Sequence, residues 1–462
     1  GPISVQSIAH SVRAEGVQRI ALVSDEPEQF DLRQFPKGTT LSHRRDLDAI
    51  QRELRDIPGV TVLIYAQTCA TEKRRRRKRG KLVDPDRIAV INDLVCEGCG
   101  DCSVESNCLS VIPKETPFGR KRQIDQNTCN KDFSCINGFC PSFVTVEGIK
   151  RGTSNIVRVR EFPEQKLASI AEPQLPSLEG SYNLLVTGVG GTGVVTVGAL
   201  ITMAAHLEGK GASVLDFMGF AQKFGPVLSY IRIAGDTARL NQVRIDREQA
   251  DALIGCDLVV SSSPDASKTY RPGQTRAVIN TTEMATADFV RHRDASLRSG
   301  ERIAAIERVV GSQNLYTVPA NRISEKLLGN TIYSNVLMLG HAWQKGLVPV
   351  SLKAMLRAIE LNGVETERNR QAFGWGRLAA ADPEFLHASL NNDQRGDLGP
   401  ESLEDVIARR VDFLRDYQDE ALAQKFHSLV SKVRDAESCV GGQLELTESV
   451  ARAYFKTLAY KD

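Results

Sequence analysis

Four cysteines fall within the thirteen residues "CEGCGDCSVESNC", at Cys96, Cys99, Cys102 and Cys108, and three more follow at Cys129, Cys135 and Cys140. Thiolates are soft metal ligands, and so many in one short stretch point to a metal centre. Cys96, Cys99 and Cys102 form C-x2-C-x2-C, a spacing that lets one tight loop offer three thiolates to a single inorganic cage. Zinc sites draw their cysteines in pairs, so the triple run favours iron–sulfur over zinc. A disulfide framework would be even in number and spread through a small secreted domain. Here the cluster is odd, and the remaining Cys69, Cys256 and Cys439 are scattered and read as small apolar packing residues.

The odd count has a chemical answer. In bacterial two-cluster ferredoxins the fourth cysteine of each run ligates the other cluster. Cys140 precedes Pro141, the C-P pair that closes such a run, so it is expected to complete the set Cys96, Cys99 and Cys102. Cys108 then joins Cys129 and Cys135. The stretch "CNKDFSC" is C-x2-D-x2-C, with Asp132 where a middle cysteine would stand. A carboxylate is a harder ligand than a thiolate but can bind iron. Two clusters are therefore expected. The first is of the 4Fe–4S type; in the second, either Asp132 is a ligand or it is a turn residue beside a 3Fe–4S cluster. A neighbouring pair of this kind suits electron transfer better than substrate chemistry.

A second candidate site is glycine-rich. "NLLVTGVGGTGVVTVG" puts Gly188, Gly190, Gly191 and Gly193 between an expected strand and an expected helix, in G-x-G-x-x-G register. Such glycines permit close helix–sheet packing and leave amides to face a phosphate or carboxylate. Asp216, ending the next strand, is where a ribose-binding acid would lie in a dinucleotide fold. An NAD-linked iron–sulfur subunit is thus one alternative function, and a non-catalytic iron–sulfur carrier is another. Lys223, within "GFAQKFGPVLSYIRIA", could meet an anion.

The elements that must position these groups read as α/β. Up to Ala66, "SVQSIAHSVRAEG" and "RRDLDAIQRELRDIPG" read as helices around the buried strands "VQRIALVSD" and "VTVLIYA", which favours a parallel sheet. The segment opens on a helix and is expected to be the back half of a domain. "KRRRRKRGK", residues 73–81, reads as a solvated connector. After a proline- and glutamate-rich linker come strands expected at "NLLVTG", "ASVLDF", "VLSYIRIA", "DLVVSSS" and "RAVIN". Two helical stretches follow, "LKAMLRAIELN" and the long, charge-laced "SLEDVIARRVDFLRDYQDEALAQKFHSLVSKVRDA". The final "YKD" has no helix stop, so the chain is expected to be part of something longer. A length of 462 residues implies several domains. The net charge of +2 offers no electrostatic case for nucleic acid or a membrane surface. The uncharged stretch 181–207 has glycines between two apolar runs and reads as strand, turn and helix, not as a membrane span. No signal-peptide pattern is present, and a cytoplasmic location is expected.

Taken in order, "VCEGCGDCSVESNC", "CNKDFSCINGFCPSFVTVEG", "VTGVGGTGVVTVGALI" and "AQKFGPVLSYIRIA" resemble the 2-oxoacid:ferredoxin oxidoreductases, and most closely their long fused, indolepyruvate-type form. The resemblance implies five segments. Residues 1–85 would be the C-terminal part of a thiamine-diphosphate-binding-type α/β domain, and 86–150 a small α+β, bacterial-ferredoxin-like module. Residues 151–179 would be a linker, 180–380 a Rossmann-like gamma-type domain without an NAD site, and 381–462 a helical extension. It also implies oxidative decarboxylation of a 2-oxo acid to an acyl-coenzyme A, with single electrons passing through the clusters to ferredoxin. The seven clustered cysteines would be ligands; the family's usual second run has a cysteine where Asp132 stands. The glycine loop and Lys223 would face coenzyme A or the thiamine portion. No GDG motif followed by asparagine occurs, so thiamine diphosphate and Mg are expected in an upstream portion, and a homo-oligomer is expected.

Overall fold

The structure is a computed structural model describing residues 3–78, 80–138, 140–148, 162–218, 225–284, 289, 292, 295–391, 401–441 and 443–459. It divides into two compact units. One comprises residues 1–85 with Asn130–Asp132, and the other residues 86–129 with 133–462.

In the first unit a parallel sheet contains β1 (Arg19–Ser24), β2 (Thr40–His43) and β3 (Thr61–Ala66) in the order β2-β1-β3. The run Ile20–Val23 makes β1 the buried centre, packed on both faces. Helix Val5–Ala14 starts at a reciprocal cap, in which Ser4 and Ser7 each take the other's backbone N–H. The basic run is helical over Ala70–Lys78. Arginine and lysine are good helix formers, and Glu72 pairs with Arg75 and Arg76 one turn on, which offsets part of the repulsion.

The second unit begins with the cysteine-rich segment. β4 (Ile88–Ile91) pairs antiparallel with β7 (Phe143–Val146), and β5 (Val111–Thr116) forms a hairpin with β6 (Gly119–Ile124). A short helix, Asp101–Ser106, packs against the turn Ser134–Ile136.

Residues beyond the linker form a six-stranded sheet. Its strands are β8 (Tyr182–Val189), β9 (Gly211–Met218), β10 (Pro226–Ala234), β11 (Ala252–Gly255), β12 (Arg276–Asn280) and β13 (Leu315–Val318), in the order β13-β12-β11-β8-β10-β9. β8, β11, β12 and β13 run parallel, while β10 is antiparallel to both its neighbours. Helix Val194–Leu207 connects β8 to β9, and β10 is inserted between them. Helices on both faces close two apolar cores, and Pro383–Asn391 adds Leu386 and Leu390 to the larger. The fold class is α/β with a parallel-rich sheet.

Two sequence expectations shift here. "DLVVSSS" is not a strand. Asp257 caps a helical turn by accepting from the Val260 amide at 2.8 Å, and the strand is the four buried residues just before it. The long C-terminal run is two helices, Leu403–Tyr417 and Glu420–Cys439. They are broken where Asp419 accepts from the Leu422 amide at 2.8 Å. With Glu445–Leu458 they form a bundle around Val406, Leu414, Phe426 and Phe455. Among the described residues no helix is long and apolar enough to cross a membrane.

Candidate metal centre

The first three cysteines sit on a loop hung from Asn92. Its carbonyl accepts from the Val95 amide at 3.2 Å and the Cys96 amide at 2.9 Å, and its side chain accepts from the Leu94 amide at 3.1 Å. Two glycines then turn the chain. Gly98 (φ +71°) donates its N–H to Cys96 Sγ at 3.3 Å, and Gly100 (φ +88°) starts the helix whose first turn carries Cys102. The loop lies hard against β6, since a Cβ on Gly98 would stand 2.3 Å from the Arg120 carbonyl oxygen. No side chain fits there.

Burial pushes the Cys102 thiol up, and Cys96, Cys99 and Cys140 push it the same way, while the Arg122 cation opposes them. Cys96 and Cys99 on the loop and Cys140 on the segment entering β7 are thus electrostatic neighbours of Cys102. Arg122, only 2% exposed, is a residue that sequence reasoning missed. It is a buried cation that acts on the Cys102 thiol, where it would oppose accumulated negative charge.

Cys102, Cys108 and Cys135 pack, with Ile124 and Phe143, against the small core of Ile91, Cys96 and Val111. The Cys129 amide donates to the Asp125 carbonyl at 3.0 Å. Asp132 belongs to the Asn130–Asp132 segment of the first unit. There Lys131 Nζ is 3.1 Å from an Asp84 oxygen and donates to the Pro85 carbonyl at 2.8 Å. Asp132 is flanked by Lys131 (φ +52°) and Phe133 (φ +59°), both left-handed without being glycine. Strain of that kind collects at functional sites.

Among the described residues no three His, Cys, Asp or Glu side chains converge tightly enough to hold one metal ion. A cubane asks for something different, because each of its irons takes its own thiolate and the sulfurs spread around a cage. The all-thiol donor set, the apolar lining and the N–H···S bond suit an iron–sulfur group better than a lone ion.

The glycine loop is held from both sides. The Gly190 amide donates to the Gly225 carbonyl at 2.7 Å, so it is not available to a ligand. Asn335 Nδ2 donates to the Thr192 carbonyl at 3.0 Å. At Gly188 a Cβ would meet Val194 at 2.5 Å and Cys256 at 3.1 Å, so this glycine serves close packing. Gly191 (φ +83°) and Gly193 (φ +101°) complete the turn, and no side chain caps the helix that follows. Asp216 is not beside the loop. β10 separates its strand from β8, and its carboxylate accepts from the Ser229 hydroxyl at 2.6 Å, which removes the main support for a dinucleotide site. Lys223 lies outside the described residues.

Residues 183–379 match the pyruvate ferredoxin/flavodoxin oxidoreductase family, and residues 403–462 match a family of unknown function. Both matches lie outside the cysteine-rich segment. The chain is similar to indolepyruvate oxidoreductase subunit IorB of Pyrococcus horikoshii, 24% identical over 213 residues, covering 44% of this chain and 96% of that one. IorB of Thermococcus kodakarensis is 40% identical over 55 residues, which is 12% of this chain and 27% of its own length. Among solved structures, pyruvate oxidoreductase subunit PORC of Thermotoga maritima aligns over 43% of this chain and 96% of its own, at 20% identity and a TM-score of 0.31. Residues 183–379, which carry the sheet and its glycine loop, are therefore similar to the pyruvate ferredoxin/flavodoxin oxidoreductase family.

Proposed function

We propose that this chain is the electron-relay and gamma-type portion of an enzyme that oxidises 2-oxo acids and passes the electrons to a ferredoxin. The observation that supports the reading is that Cys96, Cys99 and Cys140 all act on the Cys102 thiol, in the same unit as the residues that match the family. These four would hold one iron–sulfur cluster, and Cys108, Cys129 and Cys135 a second, for which Asp132 would be either a further ligand or a turn residue beside a 3Fe–4S cluster. When bound, such clusters accept and release electrons one at a time.

The residues around the first set would have definite tasks. The Gly98 amide would support the Cys96 sulfur, Arg122 would balance negative charge near Cys102, and Ile91, Val111 and Phe143 pack around Cys96 and Cys102. The overall reaction would consume a 2-oxo acid anion and coenzyme A and yield acyl-coenzyme A, carbon dioxide, one proton and two electrons, which leave singly for the ferredoxin. Indolepyruvate, or another aryl or branched 2-oxo acid, is the substrate class suggested by the IorB relatives. Thiamine diphosphate with Mg would be held by an upstream portion, which would also set most of the substrate choice. The turn at Gly191 and Gly193 would face the coenzyme A or that portion, shaped by Gly188 and Gly190 through packing and the bond to Gly225. The assembly would be a cytoplasmic homo-oligomer.

Anaerobic spectroscopy of the assembled enzyme tests this. The iron–sulfur absorbance should bleach on adding 2-oxo acid with coenzyme A, and not on adding NADH. Bleaching by NADH alone would replace this reading with an NAD-linked one.

A further inference from the structure

The C-terminal helices reach the cysteine module at the turn between β5 and β6. That turn is built to present Phe118. Thr116 Oγ1 donates to the Gly119 carbonyl at 2.7 Å and accepts from the Phe118 amide at 3.2 Å. The Phe118 ring enters the core of the bundle. It stacks on Phe455, with centroids 5.3 Å apart and planes 23° apart, and lies 5.0 Å from Phe413. Arg410, 2% exposed, donates from Nη2 to the Pro117 carbonyl at 2.8 Å and from Nη1 to the Val406 carbonyl of its own helix at 3.0 Å. Its guanidinium also lies 5.7 Å from the Phe118 centroid and 5.4 Å from that of Phe455. Lys456, on the last helix, comes within 3.9 Å of the Cβ position of Gly119.

Two residues beyond Phe118, the Arg120 carbonyl presses on Gly98, inside the loop that carries Cys96, Cys99 and Cys102. The contact path therefore runs from Arg410, Phe413 and Phe455, through Pro117 and Phe118, to Arg120 and then Gly98. A two-stranded hairpin is marginal in water by itself, so whatever grips its turn also sets how firmly its far strand backs the loop. A buried arginine whose donors go to the Pro117 carbonyl of a neighbouring turn and to a carbonyl of its own helix is expensive unless those contacts are kept, which marks the grip as a fixed one.

We propose that the bundle of residues 403–458 is a clamp: by gripping Phe118 and Pro117 it holds β6 against Gly98 and keeps the Cys96–Cys102 loop in the conformation that receives a cluster. This assigns a task to the region that matches a family of unknown function. Phe118 and Arg410 are positioning residues in this scheme. The cluster half of the proposal rests on the proposed function above, whereas the loop-holding half does not.

Amide hydrogen exchange on the full chain, stripped of metal by anaerobic chelation, reads the clamp without a cluster. In Phe118→Ala the amides of residues 96–102 should exchange about tenfold faster than in the unsubstituted chain, while those of β8 and β11 stay unchanged. Phe118→Leu should restore most of the protection. Arg410→Gln, a milder change within a helix, should give the same pattern at smaller amplitude and covers the case in which Phe118→Ala does not fold. A purely structural loss would raise exchange throughout the bundle and leave the loop alone, and that result, or unaltered loop exchange, overturns the clamp. On the reconstituted protein the same variants should release iron to a chelator faster. Absence of iron from the unsubstituted chain would refute the cluster reading, while the exchange result would still decide the loop-holding claim.

Discussion

Replacing Gly98 by alanine is a small change at a place with no room for it. Two costs add. At φ +71° an L side chain pays on the order of 1 kcal/mol for the left-handed backbone. The new Cβ would also stand 2.3 Å from the Arg120 carbonyl oxygen, a backbone atom fixed in β6 that cannot swing aside as a side-chain end could. Overpacking of that kind costs about 1–3 kcal/mol. The total of about 2–4 kcal/mol falls on the loop bearing Cys96, Cys99 and Cys102, and corresponds to roughly a 30- to 1,000-fold weaker hold on iron. Gly148→Ala is the control, since φ is +77° there and nothing lies within 4 Å, leaving only the backbone term of about 1 kcal/mol. The assay is anaerobic iron loss to a chelator, followed by absorbance, with urea unfolding alongside. If Gly98→Ala held its iron as long as Gly148→Ala, the packing of the loop on β6 would not be what shapes the site.

Three other outcomes are expected. Arg122→Met should shift the reduction potential of the first cluster to more negative values. A unit charge about 8 Å away at an effective dielectric of about 20 is worth about 2 kcal/mol, roughly 90 mV for one electron, and protein-film voltammetry would read it. Asp132→Cys should convert the second site to four thiolates and change its electron paramagnetic resonance spectrum; an unchanged spectrum after anaerobic reconstitution would count against Asp132 as a ligand. His341 is buried with no hydrogen-bond partner on either ring nitrogen among the described residues, and burial, aided by Lys345, presses its pKa to about 3. The unfolded chain binds a proton near pH 6.5 and the folded one does not. Stability should therefore be full above pH 6.5 and fall by up to a few kcal/mol as pH drops towards 3. His341→Leu should flatten that slope in thermal melts taken across the range.

The cysteine pattern behind the proposed clusters is legible in the sequence because its spacing is local, and Cys96 to Cys102 and the Cys140–Pro141 pair fall within short windows. Buried strands such as Ile20–Val23 and Leu184–Val186 also announce themselves as unbroken apolar runs. Thr40–His43 does not, being a short edge strand with polar residues on both faces. Residues 257–263 mislead because an apolar pair beside serines reads as a strand until Asp257 is recognised as a cap. Arg122 is hidden for another reason. In "GRKRQI" three basic residues stand in a row, and only the pairing of Arg122 with Pro113 across the hairpin shows which one turns inward. The grip of Arg410 on Pro117 spans nearly three hundred residues of chain, and no local pattern encodes a contact so remote.

The measurement closest to the central claim is the metal and acid-labile sulfide content of the chain purified without oxygen. The arrangement of thiols requires about seven or eight iron atoms per chain, with matching sulfide and no stoichiometric zinc. One or two zinc ions with neither iron nor sulfide would contradict it.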